Sequence, residues 1–293
     1  MASIGMGAYA SIDGRILPAS EARVSVFDNG FTFGDSVYET LRTYGGRPFA
    51  LDLHLRRLRA SAGRLGIDLP PTEAALGALL DDLLAAAGNV ESYVRFIVTR
   101  GVGDISYRFD RIHGPTVVIV VKPFETPADE VYTEGIPVAL VSVRRNHRTA
   151  LDPAIKSCNL LNNLLAVREA QARGAVEALM LNAEGDLAEG ASSNVFLVHG
   201  GIVRTPPLEA GILAGITRGV VLDLLPTLGI EGREEHLGVE ALRDADEAFI
   251  TSSLREAAPV RSVDGRAVGD GRPGPVTRTI LRAFRENAPR YSR

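Results

Sequence analysis

Residues 154–175, AIKSCNLLNNLLAVREAQARGA, join an extended segment to a helix, and Lys156 stands at the junction. The helix is predicted from about Leu160 to Arg173, stopped by Gly174, with Ser157 or Asn159 placed to cap it. A lysine at a strand end facing a cleft is open to desolvation, which lowers its pKa and frees the amine for imine chemistry. The plain alternative is a solvated loop lysine. Composition weakens that alternative: of 32 Lys plus Arg, only Lys122 and Lys156 are lysines, leaving 30 arginines.

Before this stretch, SIDGRIL (11–17) reads as a hairpin with an Asp-Gly turn, and SVYETLRTYGGRPFAL (36–51) as two strands around Gly45-Gly46. Residues 52–66 read as an amphipathic helix with Asp52 as N-cap, and a second helix runs from about Thr72, capped there, to Ala87 before Gly88. SYVRFIVTRG and PTVVIVVK follow as strands, and residues 1–10 alternate loosely. The stretch KPFETPADEVYTEGIP (122–137) breaks the pattern with three prolines and four acids. It sets the expected organisation: a small N-terminal domain of 1–122, a linker of 123–133, and a larger C-terminal domain of 134–293. In that second part, VALVSV reads as a strand and EALMLNAEGDLAEG and SNVFLVHGGIVRTP as hairpins. Helices are predicted near 216–229, 238–243 and 275–287, with the strand EAFITSS before the last. Strands and helices interleave without regular βαβ alternation, which predicts two α+β-like domains sharing a cleft.

Composition excludes several classes. A hydrophobic share of 45% suits a globular core, and a net charge of −4 without a basic block argues against a nucleic-acid partner. The first residues lack the pattern of a signal peptide, and PTVVIVV (115–121) is too short to span a bilayer, so no membrane partner is expected. The lone Cys158 forms no internal disulfide and suits a reducing cytoplasm. The five histidines lack metal-ligand spacing, and no metal is expected.

Two further stretches carry chemistry. LAEGASSNVF (187–196) offers Glu189, 33 residues after Lys156, followed by Gly190, Ser192, Ser193 and Asn194. An acid beside a heteroaromatic nitrogen keeps it protonated, and a protonated pyridine is the better electron sink. Alone, the string is also an ordinary polar hairpin turn. GILAGITRGVV opens a helix at Gly215, where the N–H groups of Ile216 and Thr217 and the Thr217 hydroxyl can meet an anion. Arg57 in DLHLRRLRAS can supply a guanidinium to the same anion.

Seven strings in order over about 8–265 carry a resemblance: FGDSVYETLRTY, HLRRLRASA, SYVRFIVTRGVGD, IKSCNLLNN, EGASSNVF, GILAGITR and FITSSLREAAPV. Together they resemble the class IV aminotransferases, the fold-type IV enzymes of pyridoxal 5′-phosphate (PLP). The resemblance implies a two-domain α+β or α/β fold like that of D-amino-acid aminotransferases, a cofactor in the cleft between the domains, and a homodimer. It implies that Lys156 is the catalytic residue, binding PLP as a Schiff base and shuttling the proton at Cα, and that Glu189 pairs with the pyridine nitrogen. It assigns Arg57, Ile216 and Thr217 to the phosphate, Ser192, Ser193 and Asn194 to a cofactor-lining turn, and Ser252, Ser253 and Leu254 to a turn near phosphate and substrate carboxylate.

The substrate strings are mixed. Tyr93 and Arg95 resemble the Tyr-x-Arg segment of branched-chain enzymes, and Arg42 in YETLR matches an arginine of the same group. Thr40 and Leu160 depart from that pattern, and IKSCNLL is closer to D-amino-acid aminotransferases. The Arg-x-His of the latter is missing; Tyr107 and Arg108 stand nearby. The expected substrate pocket is Phe33, Tyr38, Thr40, Arg42, Tyr93, Arg95, Tyr107, Arg108, Ser253 and Leu254. The expected reaction moves an amino group from an apolar or branched-chain L-amino acid to a 2-oxo acid such as 2-oxoglutarate. A D-amino-acid or (R)-amine transaminase and an aminodeoxychorismate lyase are the alternatives, and a binding protein that keeps the fold is the non-enzymatic one.

Overall fold

The structure, a computed structural model, describes residues 7–292, so part of the alternation read over 1–10 lies outside the described residues. The chain forms two compact units. The first holds the chain up to Glu125, the segment Ile155–Asn159 and the chain from Ala288 onward; the second holds Thr126–Ala154 and Leu160–Asn287.

The first unit contains β1 (Tyr9–Ile12), β2 (Arg15–Pro18), α1 (Asn29–Phe33), β3 (Ser36–Tyr44), β4 (Arg47–Pro48), α2 (Leu51–Arg64), α3 (Glu73–Ala87), β5 (Ser92–Thr99) and β6 (Val117–Pro123). Among the described residues these strands make a six-stranded antiparallel sheet in the order β2-β1-β6-β5-β3-β4. Successive side chains of a strand point to opposite faces. Val37, Leu41, Val94, Phe96, Val98, Ile119 and Val121 therefore share one face, packed under Leu55 and Leu58 of α2 and Leu76, Leu80 and Leu83 of α3. Each such side chain contributes about 1.5–3 kcal/mol on burial. The other face is only half-buried and carries Tyr38, Thr40, Tyr93, Arg95 and Ile97.

Two short segments expected in the C-terminal domain belong here instead. Ile155–Asn159 lies along the start of β3: Tyr38 N–H donates to the Lys156 carbonyl and Cys158 N–H to the Ser36 carbonyl, both at 2.9 Å. The chain end reaches back likewise, with Ala50 N–H donating to the Tyr291 carbonyl at 2.8 Å. That bond accompanies a correction to the helix start: the N-cap of α2 is Ala50, left-handed at φ 48°, and Asp52 lies in the first turn. The helix after Lys156 is also capped differently. Leu160 is its N-cap without a side-chain bond, while Asn159 donates to the Gly34 carbonyl at 2.9 Å.

The second unit contains α4 (Glu130–Thr133), β7 (Ile136–Leu140), α5 (Leu161–Ala172), β8 (Glu177–Leu181), β9 (Leu187–Gly190), β10 (Asn194–His199), β11 (Ile202–Thr205), α6 (Ile216–Leu224), β12 (Gly232–Glu234), α7 (Val239–Arg243), β13 (Glu247–Ser252), β14 (Glu256–Val263), β15 (Arg266–Ala267) and α8 (Pro275–Asn287). So α4 begins inside the stretch expected as linker, and the helix expected over 216–229 is α-helical only to Leu224, with a 3-10 turn over Leu225–Leu228. Pro226 in that turn lacks the N–H the α-helical ladder needs. The described sheet runs β12-β11-β10-β13-β14-β7-β8-β9, with β15 on β14. It is mixed: β14, β7 and β8 run parallel, α5 crossing from β7 to β8. Every residue of β8 and β9 is buried, and Phe196 and Phe249 stack at 4.8 Å between ring centres. Glu189 thus sits within a strand, at the sheet edge, rather than in a hairpin turn.

Candidate active site

In the first unit Lys156 is fixed through its backbone. Its carbonyl accepts from Tyr38, and its N–H donates to Ser61 Oγ of α2 at 3.2 Å. Its Nζ lies 4.5 Å from the Tyr38 ring centre, and the Arg95 guanidinium lies 4.0 Å from the same ring. The Lys156 amine and the Arg95 guanidinium thus share one aromatic ring. Burial pushes the Tyr38 hydroxyl up to about 12, against the pull of Arg95, so it stays a neutral donor at physiological pH.

Glu39, the next residue, points the opposite way and is fully buried. It accepts from Arg57 Nε at 2.6 Å, Arg57 Nη2 at 2.8 Å and His54 Nδ1 at 2.7 Å. Burial alone would raise its pKa, but the charge and bonds of Arg57, with those of His54, hold it well below the usual carboxylate range. Burial, aided by the charges of Arg57 and Lys156, holds His54 below its ordinary value against the pull of Glu39. The imidazole is therefore neutral, and the carboxylate acceptor fixes its proton on Nδ1. Arg57 was read from sequence; Glu39 and His54 were not, although their i,i+3 and strand positions beside Arg57 and Tyr38 were the available signal.

The strand register brings Thr40 opposite Arg95 and places Arg42, Tyr93 and Lys122 in one cross-strand row. Arg42 is buried: Nε donates to the Thr43 carbonyl at 3.1 Å, and its guanidinium lies 4.3 Å from the Tyr44 ring and 4.2 Å from the Phe124 ring. It is not presented as Arg95 is. Tyr107 and Arg108 are not in this row. Tyr107 is 89% exposed with its ring 5.5 Å from that of Phe33, and Arg108 pairs with Asp110 at 2.9 Å in solvent.

In the second unit, Glu189 Oε1 accepts from Arg145 Nε at 2.7 Å. Its Oε2 accepts from Leu213 N–H at 3.0 Å and Asn194 Nδ2 at 3.3 Å. Arg145 escaped the sequence reading because no motif links it to an acid 44 residues away. Gly190 lets the following turn close: a Cβ there would stand 2.2 Å from Ser193 Oγ. Gly215, before α6, is equally confined, since a Cβ would stand 1.9 Å from Asn194 Oδ1. Ser192 Oγ donates to Glu177 at 2.7 Å, and Arg255 donates to both, joining the Ser192 turn to the Ser252–Arg255 turn. Ser252 Oγ accepts from Arg255 N–H, and Ser253 and Leu254 complete that turn. Beyond it, Glu256 is buried at φ 57° and held by Arg285 at 2.7 Å.

The hydroxyls of Ser193, Thr217 and Thr251 are buried without a hydrogen-bond partner. Unmet buried polar groups are costly, so a ligand that bonded to any of these hydroxyls would offset that cost. Thr217 lies in the first turn of α6, whose N-terminus favours an anion. Within the second unit, Thr217 with the α6 N-terminus suits a phosphate and the Glu189 carboxylate suits a basic ring nitrogen, two groups that PLP carries.

The profile described as "Amino-transferase class IV" matches residues 36–263. The chain belongs to the class IV aminotransferases. A putative branched-chain-amino-acid aminotransferase of Methanocaldococcus jannaschii is 38% identical over 94% of this chain and 94% of its own length. The D-alanine aminotransferase of Bacillus licheniformis is 36% identical over 94% and 95%. Among solved structures, the branched-chain amino acid aminotransferase of Thermobaculum terrenum in its PLP form superposes with a TM-score of 0.86 at 29% identity, covering 96% of this chain and 93% of that one. This class IV aminotransferase is thus a transaminase of the two-domain fold-type IV architecture. Among its described residues no helix is long and apolar enough to cross a membrane, and no group of three or more His, Cys, Asp or Glu is placed to hold a metal ion.

Proposed function

We propose that this PLP-dependent transaminase moves the amino group of an apolar, branched-chain L-amino acid to 2-oxoglutarate. The observation that carries the reading is Arg95 on the Tyr38 ring that also holds Lys156, beside Thr40, Tyr93 and Ile97 on one half-buried sheet face. An arginine on an otherwise apolar and aromatic wall suits a distal carboxylate in one half-reaction and an aliphatic side chain in the other. The buried, ring-sandwiched position of Arg42 argues for Arg95 over Arg42 in that role. Ser253 and Leu254 are the residues we assign to the substrate α-carboxylate.

The cofactor supplies, when bound, an aldehyde for the amine and an electron sink for charge at Cα. With the cofactor bound, Lys156 Nζ would take the Cα proton and return it, held over the Tyr38 ring that also carries Arg95. Glu189, which accepts from Arg145, Asn194 and Leu213, would hold the ring nitrogen. Arg57, Ile216 and Thr217 hold the phosphate, and Ser192, Ser193, Asn194 and Ser252 line the cofactor. Glu39 sets the Arg57 guanidinium in one orientation through two bonds.

A second reading, D-amino-acid transamination, is favoured by the IKSCNLL string and by the similarity to the B. licheniformis enzyme. A donor panel of L-leucine, D-alanine, D-glutamate and (R)-1-phenylethylamine, followed by loss of the visible cofactor band, decides between them. L-leucine is expected to react fastest; a faster D-alanine would replace the branched-chain assignment. We further propose that the enzyme is a homodimer, supported by exposed Phe27, Phe31, Tyr107 and Phe109, and that it works in the cytoplasm, where its lone Cys158 stays reduced.

A further inference from the structure

Arg145 and Glu189 form an ion pair with side chains only 10% and 6% exposed. The arginine is itself tied down. Its N–H donates to the Leu181 carbonyl at 2.9 Å, and Nη1 donates to Asn162 Oδ1 at 3.2 Å. Asn162 Nδ2 in turn donates to the Arg144 carbonyl at 2.8 Å. Pairs this deep rarely repay their desolvation in stability, so an apolar pair would serve the fold as well. The arrangement calls for a role that needs the charge.

A buried carboxylate without a counter-charge takes up a proton. Beside a ring nitrogen, that proton would come from the ring, and the sink for Cα charge would weaken. We propose that Arg145 is a positioning residue for transamination: by bonding Oε1 it fixes the plane of Glu189 and keeps the carboxylate anionic, so that the shared proton resides on the cofactor nitrogen. This rests on the reading of Glu189 as the partner of that nitrogen. Arg145 acts only through Glu189, so its effect must vanish when Glu189 can no longer ionise.

The test uses holoenzyme loaded with PLP labelled with 15N in the ring, in wild type, Arg145→Met, Arg145→Lys, Glu189→Gln and the Arg145→Met/Glu189→Gln double variant. The 15N shift reports the ring proton, alongside kcat, KM and the PLP dissociation constant. Arg145→Met is expected to move the shift toward the unprotonated value and lower kcat at least tenfold with little change in KM. Arg145→Lys is expected to restore most of both. The double variant should be no worse than Glu189→Gln alone. If Arg145→Met fails to fold, Arg145→Gln, which keeps a donor without the charge, carries the same cycle. An unchanged shift and kcat in Arg145→Met, or losses that add to those of Glu189→Gln, overturn the inference while leaving Glu189 in place. A Glu189→Gln protein with wild-type shift and turnover overturns the reading of Glu189 itself, and this inference with it.

Discussion

Lys156 owes its position to three features: two bonds of its backbone to β3 and α2, and an aromatic ring, Tyr38, that it shares with Arg95. No other lysine can take its place, since Lys122 lies over Tyr93, 5.3 Å from that ring centre. Lys156→Ala should therefore end multiple-turnover transamination and leave no cofactor covalently attached after borohydride reduction; mass spectrometry that still found a reduced adduct at the site would sink the assignment. Arg95 and Arg42 make a sharper comparison. Loss of a charge-assisted carboxylate bond costs about 1.5–3 kcal/mol, so Arg95→Ala should raise KM for 2-oxoglutarate by roughly 10- to 100-fold with far less effect on L-leucine. Arg42→Ala should chiefly lower thermal stability, because it removes a buried guanidinium between two rings, contacts worth about 2 kcal/mol when desolvated. Steady-state kinetics and a melting curve on both variants separate the roles. The sequence paired Arg42 with Arg95 through strings that resemble branched-chain enzymes; only the fold reveals Phe124 over Arg42. Arg145 stayed hidden because a buried acid and its counter-charge follow no local spacing, whereas Glu39 and His54 left only their positions beside Tyr38 and Arg57 as a signal.

At the scale of elements, the alternation of β3 and β5 and the capping of α3 by Thr72 were legible because both are local rules. The start of α2 was not, since its N-cap Ala50 donates its N–H to the carbonyl of Tyr291, far along the chain. The α6 N-terminus yields one prediction. Thr217→Val removes an unpartnered buried hydroxyl, so the apoenzyme should keep its melting temperature. PLP affinity should fall by about tenfold, on the order of 1.5 kcal/mol for one bond to a charged phosphate. Titration of apoenzyme with PLP checks it. The β3–α2 pair yields another. Glu39 and His54 both have folded pKa values below their ordinary 4.5 and 6.5, so the unfolded chain binds protons first. Stability present above about pH 6.5 should decline as pH falls through the histidine range, and again below the carboxylate range. His54→Gln should flatten the first decline in urea midpoints measured between pH 7.5 and 5.5; an unchanged slope would assign it to another group.

For the whole molecule, the first long segment of the first unit ends at Glu125, and a linear reading could not return Ile155–Asn159 and the chain end to that unit. Hydrogen bonds to β3 and Ala50 make that assignment, and no composition shift announces them. The remaining question is what covers the apolar side chains in solvent. In the first unit the segment around α1 is stitched to the loop after β5: Asn29 N–H donates to the Gly101 carbonyl at 2.9 Å and Gly103 N–H to the Phe27 carbonyl at 3.2 Å. Asp28 locks the junction, accepting from Thr99 Oγ1 and Thr116 Oγ1 at 2.9 and 2.7 Å. The stitched segments carry Phe27, Phe31, Tyr107 and Phe109, each more than half exposed. Scattered apolar residues on a surface need no explanation, but an aromatic group held by a buried carboxylate does. A second copy of the chain is the occupant that fits, because aromatic anchors of this kind dominate self-association energetics. Light scattering of wild type should give twice the 31.3 kDa chain mass. Phe31→Glu with Tyr107→Glu, which puts unpaired carboxylates into that contact, should shift the enzyme toward monomer at micromolar concentration. A monomeric wild type, or a double variant that stays dimeric with unchanged affinity, would place the association surface elsewhere or remove it.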